Sequence, residues 1–248
     1  MEEKYTNNKQ INKNLKEVNR KYLQFDHAKS VKLKILNEVA KSLCQIKIKD
    51  KPKGTGFFLK INSKNTLYML VTAHHVIRYW LADSNKTEIE IVTDVGNIKQ
   101  NIKLDAKERK MIFLDNRKES ERKNFYDITA IEIIKEDNLK DKVKFLEYDV
   151  NCGKINYSEY IDKDTFILHH PNGVEELTFS SGKITKINPG LQFEHSLDTE
   201  KGSSGSPILL IENENNNPKV LGIHTSAASS NNYTNNGYFI SALTGELI

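Results

Sequence analysis

From about residue 41 to the end, the chain is a succession of short apolar or alternating runs with Gly, Asn and Asp between them. The first group is "LCQIKIKD", "GTGFFLKI", "TLYMLVTA", "TEIEIVTD", "IKQNIKLD", "RKMIFLD" and "DITAIEII". Runs of this length, alternating with period two and bounded by turn formers, read as β-strands and leave no room for long helices. A charged, irregular stretch, "KEDNLKDKVKFLEYDVNCGKINYSEY", interrupts them. A second group follows: "TFILHHP", "EELTFSSGKITKI", "LQFEHSL", "SPILLI", "KVLGIHTS" and "GYFIS". The expectation is a mainly β protein of two strand groups, over 41–135 and 161–248, joined by a linker over 136–160. Periodicity alone leaves open whether each group is a barrel or a sandwich.

Residues 1–40 differ in texture, being polar and free of Gly and Pro. Ile11, Leu15, Val18, Tyr22 and Phe25 recur at four- and three-residue steps, and Val31, Ile35 and Val39 continue the pattern. That spacing predicts a helical N-terminal extension with one apolar face. The face either packs on the following domain or serves a regulatory partner. Lysines alternate with acidic residues and the net charge is only +4, so the surface reads as solvated rather than as a nucleic-acid footprint. With two cysteines, no signal-peptide pattern and no run long enough to span a bilayer, the expectation is a soluble cytoplasmic protein without membrane attachment. His169 and His170 are adjacent on a strand and so face opposite ways. No Cys pair or HExxH spacing occurs either, so neither a metal nor a cofactor is expected.

Chemistry concentrates at strand ends. In "LVTAHHVI" an apolar strand gives way to a short helical pattern, a junction that projects a histidine into a cleft. Asp127, in "FYDITAIEII", precedes a strongly apolar strand and reads either as a turn residue or as a carboxylate at a barrel rim. In "KGSSGSP" a small-residue loop runs straight into the strand "ILLI". Gly202 and Gly205 there permit backbone that a Cβ would obstruct, and the N–H groups of Gly202 and Ser204 can face one developing negative charge. A base, an orienting acid and a hydroxyl are the parts that nucleophilic acyl transfer requires.

These segments resemble the chymotrypsin-like (trypsin-like) serine peptidases. "TAHHV" is similar to that family's histidine motif and "GSSGSP" to its serine motif. "YDITAIEI" stands in the place of the aspartate segment, and "GTGFFL" resembles the strand before the histidine. The order His, Asp, Ser also matches, and the likeness covers about 41–248. The resemblance implies two packed six-stranded antiparallel β-barrels. It selects His75 over His74 as general base, Asp127 as orienting acid and Ser204 as nucleophile, with the backbone N–H groups of Gly202 and Ser204 as the oxyanion hole. It further implies cleavage of protein or peptide substrates through an acyl-enzyme.

For substrate choice the likeness offers two readings. "LGIHTS" puts His224 on one wall of the expected specificity pocket and Thr199 on the other, a pairing similar to the glutamyl endopeptidase branch that implies cleavage after Glu or Gln. Asp198 stands six residues before Ser204, where a trypsin-type aspartate would select Lys or Arg. A third reading makes His224 a core residue. Ser203 occupies the position at which trypsin-type enzymes carry an aspartate that pairs with a newly cut N-terminus. Activation by that cleavage is not expected, and either the enzyme is constitutively competent or something else controls the oxyanion loop. The competing functions are a catalytically silent binding module on the same scaffold and hydrolysis of a small ester.

Overall fold

In the computed structural model the described residues are 31–62, 65–78, 88–115, 126–174, 176–211, 217–227 and 234–247. The apolar face from Ile11 to Phe25, and with it the partner role suggested for that extension, lies outside them. Leu33–Ala40 forms helix α1, whose Leu36, Val39 and Ala40 are buried. Their i, i+3, i+4 spacing is that of a single covered face. Val31 is buried just ahead of it and Ile35 packs partly against the same core.

All seven apolar runs of the first group become strands: β1 (Leu43–Ile48), β2 (Lys51–Ile61), β3 (Leu67–Thr72), β4 (Glu88–Val92), β5 (Lys99–Lys103), β6 (Met111–Asp115) and β7 (Asp127–Glu132). They lie in the order β5-β4-β1-β2-β3-β7-β6, with every neighbour antiparallel. The connecting segment adds β8 (Leu146–Glu147), parallel to β2 at Leu59 and Lys60. This half therefore has eight strands rather than six. Among the described residues β5 and β6 are not paired, which leaves a half-barrel. The second half is a closed barrel of β9 (Asp164–His169), β10 (Thr178–Asn188), β11 (Gln192–His195), β12 (Pro207–Leu210), β13 (Lys219–Ala227) and β14 (Asn235–Phe239), ordered β10-β11-β14-β13-β12-β9. Closure removes the exposed strand edges there. Helix α2 (His74–Ile77) follows β3, and α3 (Ser241–Thr244) follows β14.

Period-two alternation divides the apolar residues between two cores. On β2 and β3, Phe57, Leu59, Ile61, Met69 and Val71 face a core that runs on into the closed barrel through Phe166, Phe193, Ile208 and Phe239. Phe58 and Leu70 face the other way, with Ile46, Ile77, Ile89 and Ile131 inside the half-barrel. Both faces of these two strands are thus covered, each fully buried side chain contributing about 1.5–3 kcal/mol. Cys44 and Cys152 are free thiols, both buried.

The halves meet through main chain. Thr55 on β2 donates its N–H to the Ser204 carbonyl at 2.9 Å, and its hydroxyl donates to the Gly202 carbonyl at 2.9 Å. The same hydroxyl accepts the His170 N–H at 3.1 Å, while the Thr55 carbonyl accepts from Thr72 Oγ1 at 2.8 Å. A Cβ on Gly54 would lie 2.7 Å from the Ser204 carbonyl, and one on Gly205 would lie 2.1 Å from that of Thr55. Tyr148, next to β8, bridges to Val220 on β13, so the connector also touches both halves. Thr55→Val removes the hydroxyl and leaves the Gly202 carbonyl and the His170 N–H buried without it. We expect a loss of about 2–4 kcal/mol in urea denaturation, with the m-value unchanged.

Candidate active site

The one-turn helix α2 presents two adjacent histidines in different directions. His74 is buried, its Nδ1 2.7 Å from Thr129 Oγ1 on β7. His75 is half-buried and turns to Asp127, the first residue of β7. Asp127 engages it twice: Oδ1 accepts the His75 N–H at 2.8 Å and Oδ2 meets Nδ1 at 2.6 Å. An ionised carboxylate can only accept, so Nδ1 carries the hydrogen and Nε2 keeps its lone pair. Burial works to raise the Asp127 pKa. The hydrogen bonds from His75 outweigh it and hold the carboxyl below its usual range. The carboxylate does more than cap a turn: it fixes both the ring and the backbone of the residue that bears it.

Ser204 lies in the loop between β11 and β12, half-buried, with Gly202 and Gly205 at φ +97° and +92°. Pro207 opens β12, a strand position that needs no donor. The loop is sewn to β13 by Gly205 N–H to the His224 carbonyl at 2.8 Å and His224 N–H to the Ser206 carbonyl at 2.9 Å. Its proximity to α2 follows from the glycines. A Cβ on Gly54 would strike both the Ser204 carbonyl and Val76, and one on Gly205 would reach the Ala73 nitrogen at 2.9 Å. Ser204 thus sits beside the helix that carries His75. Its Oγ donates to the Thr225 carbonyl at 3.1 Å, and among the described residues no hydrogen bond joins it to His75. The hydroxyl has a single hydrogen, so it must release the Thr225 carbonyl before it can donate to the imidazole.

Two amides are available for an oxyanion. The Lys201 carbonyl accepts the Asn172 N–H at 2.5 Å. Across a trans peptide the N–H points opposite to the C=O, so Gly202 N–H faces away from Asn172. Among the described residues neither Gly202 N–H nor Ser204 N–H donates within the chain.

Of the expected specificity residues, His224 is 3% exposed and its Nδ1 lies 3.2 Å from Nε2 of His195, itself fully buried. Burial comes first among the causes that hold His224 well below the ordinary histidine range, followed by His195, His169 and His75. Burial likewise takes His195 down to about 3. Thr199 is half-buried, whereas Asp198 is exposed and its N–H donates to Ser180 Oγ at 2.8 Å. Asp198 is therefore not the floor of an enclosed pocket.

Four residues here were not singled out as functional in the sequence. Thr55, inside "GTGFFL", carries the stitch between the halves. His195, inside "LQFEHSL", backs His224. His169, at the end of β9, meets Ser203 Oγ at 2.6 Å, and both are buried. Burial, with His170 beside it, pushes His169 down to about 4. His170 follows the last residue of β9 and is buried, as His169 is; among the described residues no group of three or more His, Cys, Asp or Glu side chains suited to a metal ion occurs.

A family model described as a trypsin-like peptidase domain matches residues 54–223. No curated protein matches the chain. Among solved structures, the serine endoprotease from Yersinia pestis is 12% identical with a TM-score of 0.58, over 86% of this chain and 64% of that one. Deg5 is 16% identical at a TM-score of 0.57, covering 86% and 90%. A Glu endopeptidase is 16% identical at 0.58, covering 84% and 88%. The chain thus spans less than two thirds of the Yersinia protein and most of the other two. At such identities the likeness is one of fold.

The buried histidines fix a pH dependence. His169 and His195 titrate near 4 and 3 when folded and near 6.5 when unfolded, and His224 is displaced the same way. Below 6.5 the unfolded chain therefore binds more protons than the folded one, so stability falls as pH drops. Thermal melts from pH 7 to 4 should show a falling Tm with net proton uptake on unfolding. Replacing His195 with Gln should flatten the slope.

Proposed function

The chain belongs to the trypsin-like peptidases, and from that membership we propose that it is a serine endopeptidase acting through Ser204, His75 and Asp127. The observation that carries this reading is the two-pronged grip of Asp127 on His75, next to the loop that bears Ser204. In the proposed reaction, Ser204 Oγ attacks the scissile carbonyl while His75 Nε2 takes its proton. The carbonyl oxygen becomes an anion facing Gly202 N–H and Ser204 N–H. His75 then passes the proton to the leaving amine as the C–N bond breaks, and water repeats the sequence on the acyl-enzyme. Proton abstraction of this kind contributes about 10²–10⁴-fold and each oxyanion donor about 10²–10³-fold.

We further infer cleavage after Glu or Gln. This reading takes His195 Nε2 as the donor to His224 Nδ1; a neutral His224 then carries its own hydrogen on Nε2, where it can donate to a carboxylate or amide oxygen. The fold-level likeness to a Glu endopeptidase agrees with this. The exposure of Asp198 argues against the basic-residue alternative. A catalytically silent scaffold is disfavoured because all three triad positions are filled and two are already bonded.

Two measurements check these readings. A fluorophosphonate should label the purified protein, with labelling abolished in Ser204→Ala and slowed by about 10⁴-fold in Asp127→Asn, where the ring loses its tautomer control. Cleavage-site profiling on a denatured proteome should place Glu and Gln before the cut bond. Cuts mainly after Lys and Arg would overturn the pocket assignment and leave the triad standing.

A further inference from the structure

The segment from Glu200 to Ser206 carries both amides proposed for the oxyanion, and it also holds two glycines at positive φ. Glycine crosses φ/ψ space at little steric cost, so a peptide beside it turns over easily unless something holds it. Beyond its bonds to β13, three further holds act on this segment. Asn172 N–H takes the Lys201 carbonyl, and Thr55 takes the carbonyls of Gly202 and Ser204. The third lies inside the protein. Ser203 is fully buried, and its N–H donates to the Glu200 carbonyl at 3.0 Å. Its Oγ accepts the Glu200 N–H at 3.0 Å and meets His169 Nδ1 at 2.6 Å.

Hydrogen-bond accounting gives the direction of that last contact. If Ser203 donates to Nδ1, the hydroxyl is satisfied on both sides and one buried atom, His169 Nε2, is left over. If Nδ1 donates instead, the hydroxyl hydrogen is stranded as well. The first arrangement leaves one group unmade and the second leaves two, so His169 is neutral with its hydrogen on Nε2. An orphaned buried N–H is destabilising, and an apolar pair of the same shape would avoid it. The fold nevertheless keeps a polar pair here, on the residue between the two amides.

We propose that the His169–Ser203 hydrogen bond is the internal lock that holds Gly202 N–H and Ser204 N–H aimed at the oxyanion, which makes His169 and Ser203 positioning residues for the reaction at Ser204. The proposal rests on the serine-peptidase reading above. It deepens that reading by naming what holds the loop in place of a charged pair. The lock is neutral and built from residues on β9 and in the loop itself, so it needs neither a cut terminus nor a bound ion.

The test is the rate of fluorophosphonate labelling of the full chain. In that reaction Ser204 Oγ bonds to phosphorus, fluoride leaves, the hydroxyl proton passes to His75, and the phosphoryl oxygen takes the oxyanion position. This readout does not depend on the preferred side chain. Against wild type, Ser203→Ala and His169→Leu should each lower the maximal labelling rate by about 10–100-fold, with little change in the half-saturating probe concentration. His169→Gln, whose side-chain oxygen still accepts from Ser203, should recover most of the rate. Undiminished labelling in Ser203→Ala and His169→Leu would overturn the lock alone. Equal losses in His169→Leu and His169→Gln, or loss of the folded state in all three variants, would also overturn it by assigning the pair to packing. An unlabelled wild type would instead bring down the peptidase reading, and the lock with it.

Discussion

The constraint on which the rest of the structure depends is the placement of Thr55. One residue uses its N–H, its hydroxyl and its carbonyl to bind Ser204, Gly202, His170 and Thr72. These are the proposed nucleophile, the residue bearing one of the proposed oxyanion amides, the turn that follows β9, and the end of the strand that leads to α2. The half-barrel and the closed barrel could pack on each other through apolar surface in many registers, because hydrophobic burial has no direction. Directed main-chain bonds select one of them. Thr55 can do this because Gly54 and Gly56 flank it, and a Cβ at Gly54 would strike both the Ser204 carbonyl and Val76.

The histidines divide by environment into two classes. His75 is half-buried, with its ring and its backbone N–H both held by the Asp127 carboxylate, the placement that its proposed role as base calls for. His169, His195 and His224 are buried and held neutral, and each serves as a fixed donor or acceptor rather than as a proton carrier.

Much of this was legible in the residues. The period-two runs on β1 to β7 announced strands because their two faces meet different cores, and the His-Asp-Ser order picked out three junctions that the fold brings near one another. What could not be read has physical causes. The hairpin joining β1 to β2 turns on Lys49 and Asp50, both at positive φ, where sequence rules look for Asn-Gly. The parallel pairing of β8 rests on two residues in a charged stretch, too short for any period. The roles of Thr55, Ser203, His169 and His195 depend on contacts between residues far apart in the chain, and a threonine on an apolar strand looks like an ordinary strand former. His224 and Asp198 competed for the same pocket in the sequence, and only burial separates them.

The glycines at the floor of the cleft have a mechanical consequence. At Gly54 and Gly205 the two halves touch backbone to backbone, with no layer of side chains between them. Side chains can exchange rotamers to let packed bodies slide, but an interface of carbonyls and amides has no such slack. Hinge bending of one half against the other would have to break the Thr55 bonds before it could widen the crevice. Widening the crevice therefore carries the cost of those directed bonds, whereas a change in the surface loops does not.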